Sequence, residues 1–218
     1  MRILALRLPT RRPHELRRFY AEELGLPRDG YDLQAGATTL TFVGGQPRSP
    51  LHFAFNIPEN RLEDAKAWLA PHAQLLERDG VDTFDFDFWH AHAVYFTDPG
   101  GNVVELIARH RLTNASDTRF DGGSLLEVSE VGLPTPDVPG TVDFLERELG
   151  VPPFSGDRST FAAVGNERGL FIVVPQGRPW FPTDVPAWPS RLDVAVAAPR
   201  EAVLEVPGTP YRILARAG

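Results

Sequence analysis

Cysteine is missing altogether from the 218 residues. That excludes disulfides, thiol nucleophiles and cysteine-ligated zinc or iron–sulfur sites, and it leaves the redox compartment open. Positive charge is also in deficit: 22 Lys and Arg stand against 29 Asp and Glu, a formal net charge of −7. Phosphate backbones are bound largely by clustered cations, so no nucleic-acid partner is expected. No segment approaches the roughly 20 apolar residues of a membrane span. The apolar run near the start, Ile3 to Leu6, is too short for the core of a secretory signal. The expectation is a cytoplasmic protein. What is present, 42% hydrophobic and 23% charged residues, is the composition of a folded globular chain, long enough for one large domain or two ordinary ones.

Periodicity divides the chain into short strands and helices. A strand at 3–8 precedes a helix from Pro13 to Leu24, where Leu16, Phe19, Tyr20 and Leu24 recur at helical spacing and Gly25 ends the run. Strands at 38–43 and 51–57 follow, then a helix at 61–69 stopped by Pro71. Strands at 92–97 and 103–108 are joined by Asp98-Pro99-Gly100-Gly101-Asn102, residue types suited to a tight turn. Residues 113–123 are polar and glycine-bearing, as in a linker. The opening pattern then returns, with a strand at 125–133, a helix at 140–149 and strands near 160–164 and 169–174. The repeat is visible in the residues, since Phe19-Tyr20-Ala21-Glu22-Glu23-Leu24-Gly25-Leu26 is answered by Phe144-Leu145-Glu146-Arg147-Glu148-Leu149-Gly150-Val151. A further echo begins at Val194 and is too short for a complete unit.

Three stretches carry a family resemblance: the helix end Phe19 to Leu26; Leu51-His52-Phe53-Ala54-Phe55 before a helix; and Phe96-Thr97-Asp98-Pro99-Gly100-Gly101-Asn102-Val103-Val104-Glu105-Leu106. In order and combination they resemble the vicinal oxygen chelate superfamily of glyoxalases, bleomycin-resistance proteins and extradiol dioxygenases. They cover residues 1–112, whereas 125–218 match only in the pattern of elements. The resemblance implies an α+β fold of paired βαβββ modules in cupped mixed sheets. It implies two glyoxalase-like domains in tandem, 1–112 and a degenerate 124–218, with residues 113–123 between them and the last module truncated. It also implies a divalent ion held by side chains on first and last strands of the modules.

Alternation within strands sets the candidates. His52, Ala54 and Asn56 share one face of their strand and Phe53, Phe55 and Ile57 the other. Ile3, Ala5 and Arg7 likewise oppose Leu4, Leu6 and Leu8. Glu105 sits in a strand apolar on both faces, where a charge needs a partner or a cation. Its counterpart in the second half is Arg212. If each cavity stays within one half, the groups are Ile3, His52, Glu105 and Glu130, Asp193, Arg212, and neither supplies three ligands. If modules pair across the halves, His52, Glu105 and Glu130 come together, and Ile3, Asp193 and Arg212 form a cavity without a metal. In that second cavity Asp193 and Arg212 would make a buried ion pair. One imidazole and two carboxylates suit Mn, Fe, Ni, Co or Zn. The bland reading of His52 is a hydrogen-bonded strand histidine, and that of Glu130 an exposed strand acid on the face opposite Glu127.

His90 and His92 form a rival His-x-His pair. Phe84 to Trp89 alternates acid with aromatic and reads as a cavity mouth. The Pro- and Trp-rich stretch from Gly177 to Pro189 reads as a loop packed over the shortened last module. The resemblance implies a small-molecule substrate with adjacent oxygens and an ion acting as Lewis acid, with Glu130 or Glu105 as catalytic proton shuttle. The reaction would be that of a lyase or isomerase, or a ring-cleaving dioxygenase. The alternative is a bleomycin-resistance-like binding protein without metal. Either would work as a monomer or homodimer.

Overall fold

A computed structural model of the chain describes residues 1–218. The first module contains β1 (Arg2–Thr10), α1 (Pro13–Arg18) with a wider helical turn over Phe19–Glu23, β2 (Arg28–Asp29), β3 (Asp32–Ala35) and β4 (Thr38–Gly44). The second contains β5 (His52–Ile57), α2 (Leu62–Leu69), β6 (Phe84–Phe86), β7 (Ala91–Thr97) and β8 (Val103–Arg109). The third contains β9 (Glu127–Thr135), α3 (Val138–Leu149), β10 (Pro153–Gly156), β11 (Ala162–Asn166) and β12 (Gly169–Pro175). The last has strands only: β13 (Leu192–Ala198), β14 (Ala202–Glu205) and β15 (Tyr211–Ala217). It is truncated, with three strands where the others have four and with no helix.

The helices start and stop for local reasons. Asp137 caps α3 by accepting from the Gly140 amide, and Pro stands in the first turn of both α1 and α3, where its missing N–H costs nothing. Gly150 ends α3 at φ +70°, a left-handed conformation that a side chain would disfavour.

The strands form two mixed sheets. One has seven strands in the order β14-β15-β13-β1-β4-β3-β2, and the other eight in the order β10-β11-β12-β9-β5-β8-β7-β6. First and last modules therefore share a sheet, and the two middle modules share the other. The joins are antiparallel, β1 against β13 and β5 against β9. Of the two arrangements the sequence leaves open, modules pair across the halves of the chain.

The helix-side faces of both sheets pack into one core of 46 buried residues drawn from all four modules, including Leu6, Phe53, Leu145 and Val196. That single core binds the halves together. Each fully buried Leu or Phe contributes about 1.5–3 kcal/mol against exposure. Phe53, Phe55 and Ile57 belong to this core, and Ala54 belongs to a smaller cluster of 12 on the opposite, cupped face, so β5 divides its faces as its alternation requires.

Two bulges shift what simple alternation predicts. The β1–β13 register slips between Ile3 and Ala5, and Ile3 turns into the core instead of the cup. The β5–β9 register slips as well, pairing Ala54 with Glu130 and Asn56 with Glu127. Ala54 and Asn56 share a face, so Glu127 and Glu130 do too, and both are buried.

Candidate metal centre

His52, Glu105 and Glu130 meet on the cupped face of the eight-stranded sheet, carried by three adjacent strands, β8, β5 and β9. Register brings them there: Ala54 pairs with Glu105 on one side and Glu130 on the other, and His52 lies two residues before it on the same face. All three are buried, and one ligand atom from each lies within 4.8 Å of the others. His52 Nε2 is 3.7 Å from Glu105 Oε2 and 3.9 Å from Glu130 Oε2. Donors around a tetrahedral ion with bonds of about 2.1 Å stand about 3.4 Å apart, so a cation fits with small side-chain shifts.

The tautomer of His52 favours this use. Its Nδ1 lies 3.0 Å from the Val103 carbonyl oxygen, which only accepts, so Nδ1 carries a proton. With Nδ1 so engaged, Nε2 is the ring atom that faces the two carboxylates. Acceptors facing acceptors need a proton or a cation between them.

Burial, then Glu130, pushes the Glu105 carboxyl well above the ordinary carboxylate range, opposed by Arg109 and by the Tyr95 hydroxyl beside it. Glu130 has a closer partner, because its Oε1 forms an ion pair with the fully buried Arg109.

Above the three lies a cavity of about 500 Å³. Its walls carry Phe86, Trp89, Tyr95, Phe161, Trp180 and Phe181. Trp180 packs on His52, ring centroids 5.2 Å apart, and its indole N–H donates to the Pro50 carbonyl at 3.1 Å. Gly132 permits this: a Cβ there would stand 2.4 Å from the Trp180 ring. The stretch containing Gly177, Trp180 and Phe181 thus lines the cup of the middle modules, not the surface of the shortened last module. Phe86 and Trp89 line the mouth, as their alternation with acids suggests.

Several expectations are corrected. His90 lies outside β7 in a left-handed conformation at the end of a short helical turn, and His92 faces His110 at 2.8 Å instead. They share no metal-binding face. Asp193 pairs loosely with Arg191 at 3.9 Å rather than with Arg212, which is exposed and has no ion pair. Their strands lie side by side in the register expected, and both residues line a second cavity of about 510 Å³ together with Arg7 and Arg191, but no ion pair forms between them. The residues missed are Arg109 and Tyr95, while Asn56 lies on the His52 face as its alternation predicts. Arg109 continues the Val103-Glu105-Ile107 alternation by one more step, a signal hidden where the strand gives way to the polar run Arg109-His110-Arg111.

No known family's sequence pattern matches the chain, and no curated protein does so. Solved structures do match in fold. A glyoxalase I variant from Zea mays aligns over 98% of this chain and 93% of its own, with TM-score 0.58 and 12% identity. A second glyoxalase I variant from Zea mays covers 89% and 74%, with TM-score 0.55 and 15% identity. A protein of Bacillus subtilis described as a dioxygenase covers 90% and 70%, with TM-score 0.57 and 16% identity. The chain has the vicinal oxygen chelate fold, in tandem-module form.

Proposed function

We propose that the chain is a metal-dependent enzyme acting on a small molecule that presents two adjacent oxygens. The convergence of His52, Glu105 and Glu130 at the floor of an aromatic-lined cavity carries this reading. One nitrogen and two carboxylate oxygens suit Mn, Fe, Co, Ni or Zn and leave positions open for a chelating ligand. A divalent ion held by His52, Glu105 and Glu130 would supply Lewis acidity toward a bound ligand's oxygens.

The chain's own residues do the rest. Val103 fixes the ring of His52, Tyr95 holds Glu105 and Arg109 holds Glu130. Outer partners of this kind orient ligands and tune their basicity. Glu105 is the candidate proton carrier, because burial raises its proton affinity, whereas Glu130 is held in an ion pair with Arg109. The aromatic walls exclude water and receive an apolar body. The reaction class this supports is that of a lyase or isomerase, ahead of ring cleavage, since a single histidine faces the cup. We place the enzyme in the cytoplasm, as a monomer or homodimer. No helix is long and apolar enough to cross a membrane.

A second reading is favoured by one observation: the Arg109–Glu130 pair and the raised proton affinity of Glu105 let the cup reach charge balance with no ion. The cavity would then sequester a flat ligand in the manner of bleomycin-resistance proteins. Elemental analysis of untagged protein equilibrated with each metal, repeated on His52→Ala, separates the two. The enzyme reading expects near-stoichiometric metal that is lost in the variant. Metal-free protein that binds an aromatic ligand supports the second reading, and unchanged stoichiometry in His52→Ala removes His52 from the centre.

A further inference from the structure

Arg109 is the largest fully buried side chain of the protein, and the chemistry above uses it only as a prop. A guanidinium taken out of water is costly unless its charge and N–H groups are engaged. Its Nη2 pairs with Glu130 Oε1, and its Nε donates to Asn56 Oδ1 at 3.1 Å. The Trp89 ring lies 5.3 Å from Cζ. Asn56 is itself pinned, donating to Glu127 Oε1 at 3.0 Å and to the Glu167 carbonyl at 2.9 Å. Nη1 is buried with no partner in the protein.

The two oxygens of Glu130 are thereby divided. Oε1 faces Arg109, and Oε2 faces His52. We propose, on the premise that the cup holds a divalent ion, that Arg109 is its positioning residue in two respects. It reserves Oε1 so that Glu130 can offer the ion only Oε2. It also leaves the loaded cup with a surplus positive charge that selects an anionic two-oxygen ligand over a neutral one. Two carboxylates balance a divalent ion, a ligand imidazole is neutral, and Asp87 and Arg178, which also line the cavity, offset each other, so the guanidinium charge is the excess. Inside a cavity walled by aromatic rings that excess is poorly screened, and a chelating anion cancels it.

Full-length untagged protein, Co²⁺ and oxalate test this. Calorimetry measures Co²⁺ binding and then oxalate binding to the cobalt-loaded protein, for wild type, Arg109→Lys and Arg109→Met, with circular dichroism to establish folding. Lysine keeps the charge and loses the planar fork. Cobalt affinity should then fall at least about fivefold while oxalate affinity stays within about threefold. Methionine removes the charge as well, and oxalate affinity should fall at least about tenfold. A purely structural arginine would lower the melting temperature without moving either constant. Unchanged cobalt affinity in Arg109→Lys overturns the positioning role, and unchanged oxalate affinity in Arg109→Met overturns the charge role. If the methionine variant does not fold, Arg109→Gln, neutral and polar, takes its place in the oxalate measurement and decides the charge role. Wild-type protein that takes up no cobalt defeats the metal premise itself, an outcome distinct from either of these.

Discussion

The Nδ1–H of His52 donates a hydrogen bond to the main-chain oxygen of Val103, 3.0 Å away, and these two residues are also register partners in the β5–β8 ladder. The sheet itself therefore sets the tautomer. Val103→Ala keeps that acceptor, so cobalt affinity should stay within about twofold despite a stability loss of about 1–3 kcal/mol from the smaller core side chain. His52→Ala should weaken cobalt binding by tenfold or more, since it removes a ligand outright rather than an outer partner, whose loss costs about 10–100-fold. Calorimetric titration of both variants gives the comparison.

Glu105 makes stability depend on pH in a direction that can be worked out. Burial raises its pKa in the folded state above the unfolded value, so the folded protein holds this proton more tightly. Its contribution is complete below the unfolded carboxylate range and is lost as pH rises through the folded pKa. Metal-free protein should lose melting temperature on this account from about pH 5 upward, the ordinary glutamate range being about 4.3. A bound divalent ion favours the ionised carboxylate, so the rise in melting temperature on adding Co²⁺ should be larger at pH 8 than at pH 5.5. Glu105→Gln should raise the melting temperature of metal-free protein at pH 8 and abolish the cobalt-dependent gain. Thermal unfolding at the two pH values checks all three statements, and a cobalt gain that shrinks with pH would contradict them.

Gly132→Ala places a methyl group where the Trp180 ring now sits. The indole must move off His52, at an expected cost of about 1–3 kcal/mol, typical of overpacking. Tryptophan emission should shift to the red as Trp180 leaves its buried position, and urea denaturation gives the energy.

Neither half of the chain closes a sheet alone, because β1 needs β13 and β5 needs β9. Fragments 1–112 and 124–218, produced separately, should lack cooperative unfolding and gain it on mixing. Calorimetric scans of each fragment and of the mixture decide this, and a cooperative transition in either isolated fragment would show that the halves are autonomous.

Much of this architecture was legible in the residues. The returning helix motif, Phe19 to Leu26 and Phe144 to Val151, exposes the repeat because burial of one helix face fixes the spacing of its apolar residues. Glu105 was legible because its strand is apolar on both faces, which makes an acid conspicuous. What escaped did so through features that leave no local mark. A bulge is one extra residue in a ladder, and nothing in Val128-Ser129-Glu130 or Ile3-Leu4-Ala5 announces it, so Ile3 was expected in a cup and Glu127 opposite Glu130. Arg109 was hidden because a long basic side chain at a strand end is usually solvated. Trp180 was set against the wrong module because a loop's neighbours in sequence need not be its neighbours in space.

Every strand of the eight-stranded sheet lies between residues 52 and 175. A single uninterrupted stretch of chain thus encodes the floor and most of the walls of the cup, while the flanking stretches build the other sheet and lend one loop. The outer portions carry none of His52, Glu105 and Glu130, and the one module without a helix lies among them. Directed evolution of a new specificity would accordingly find its richest ground in that inner segment and in the borrowed loop around Trp180.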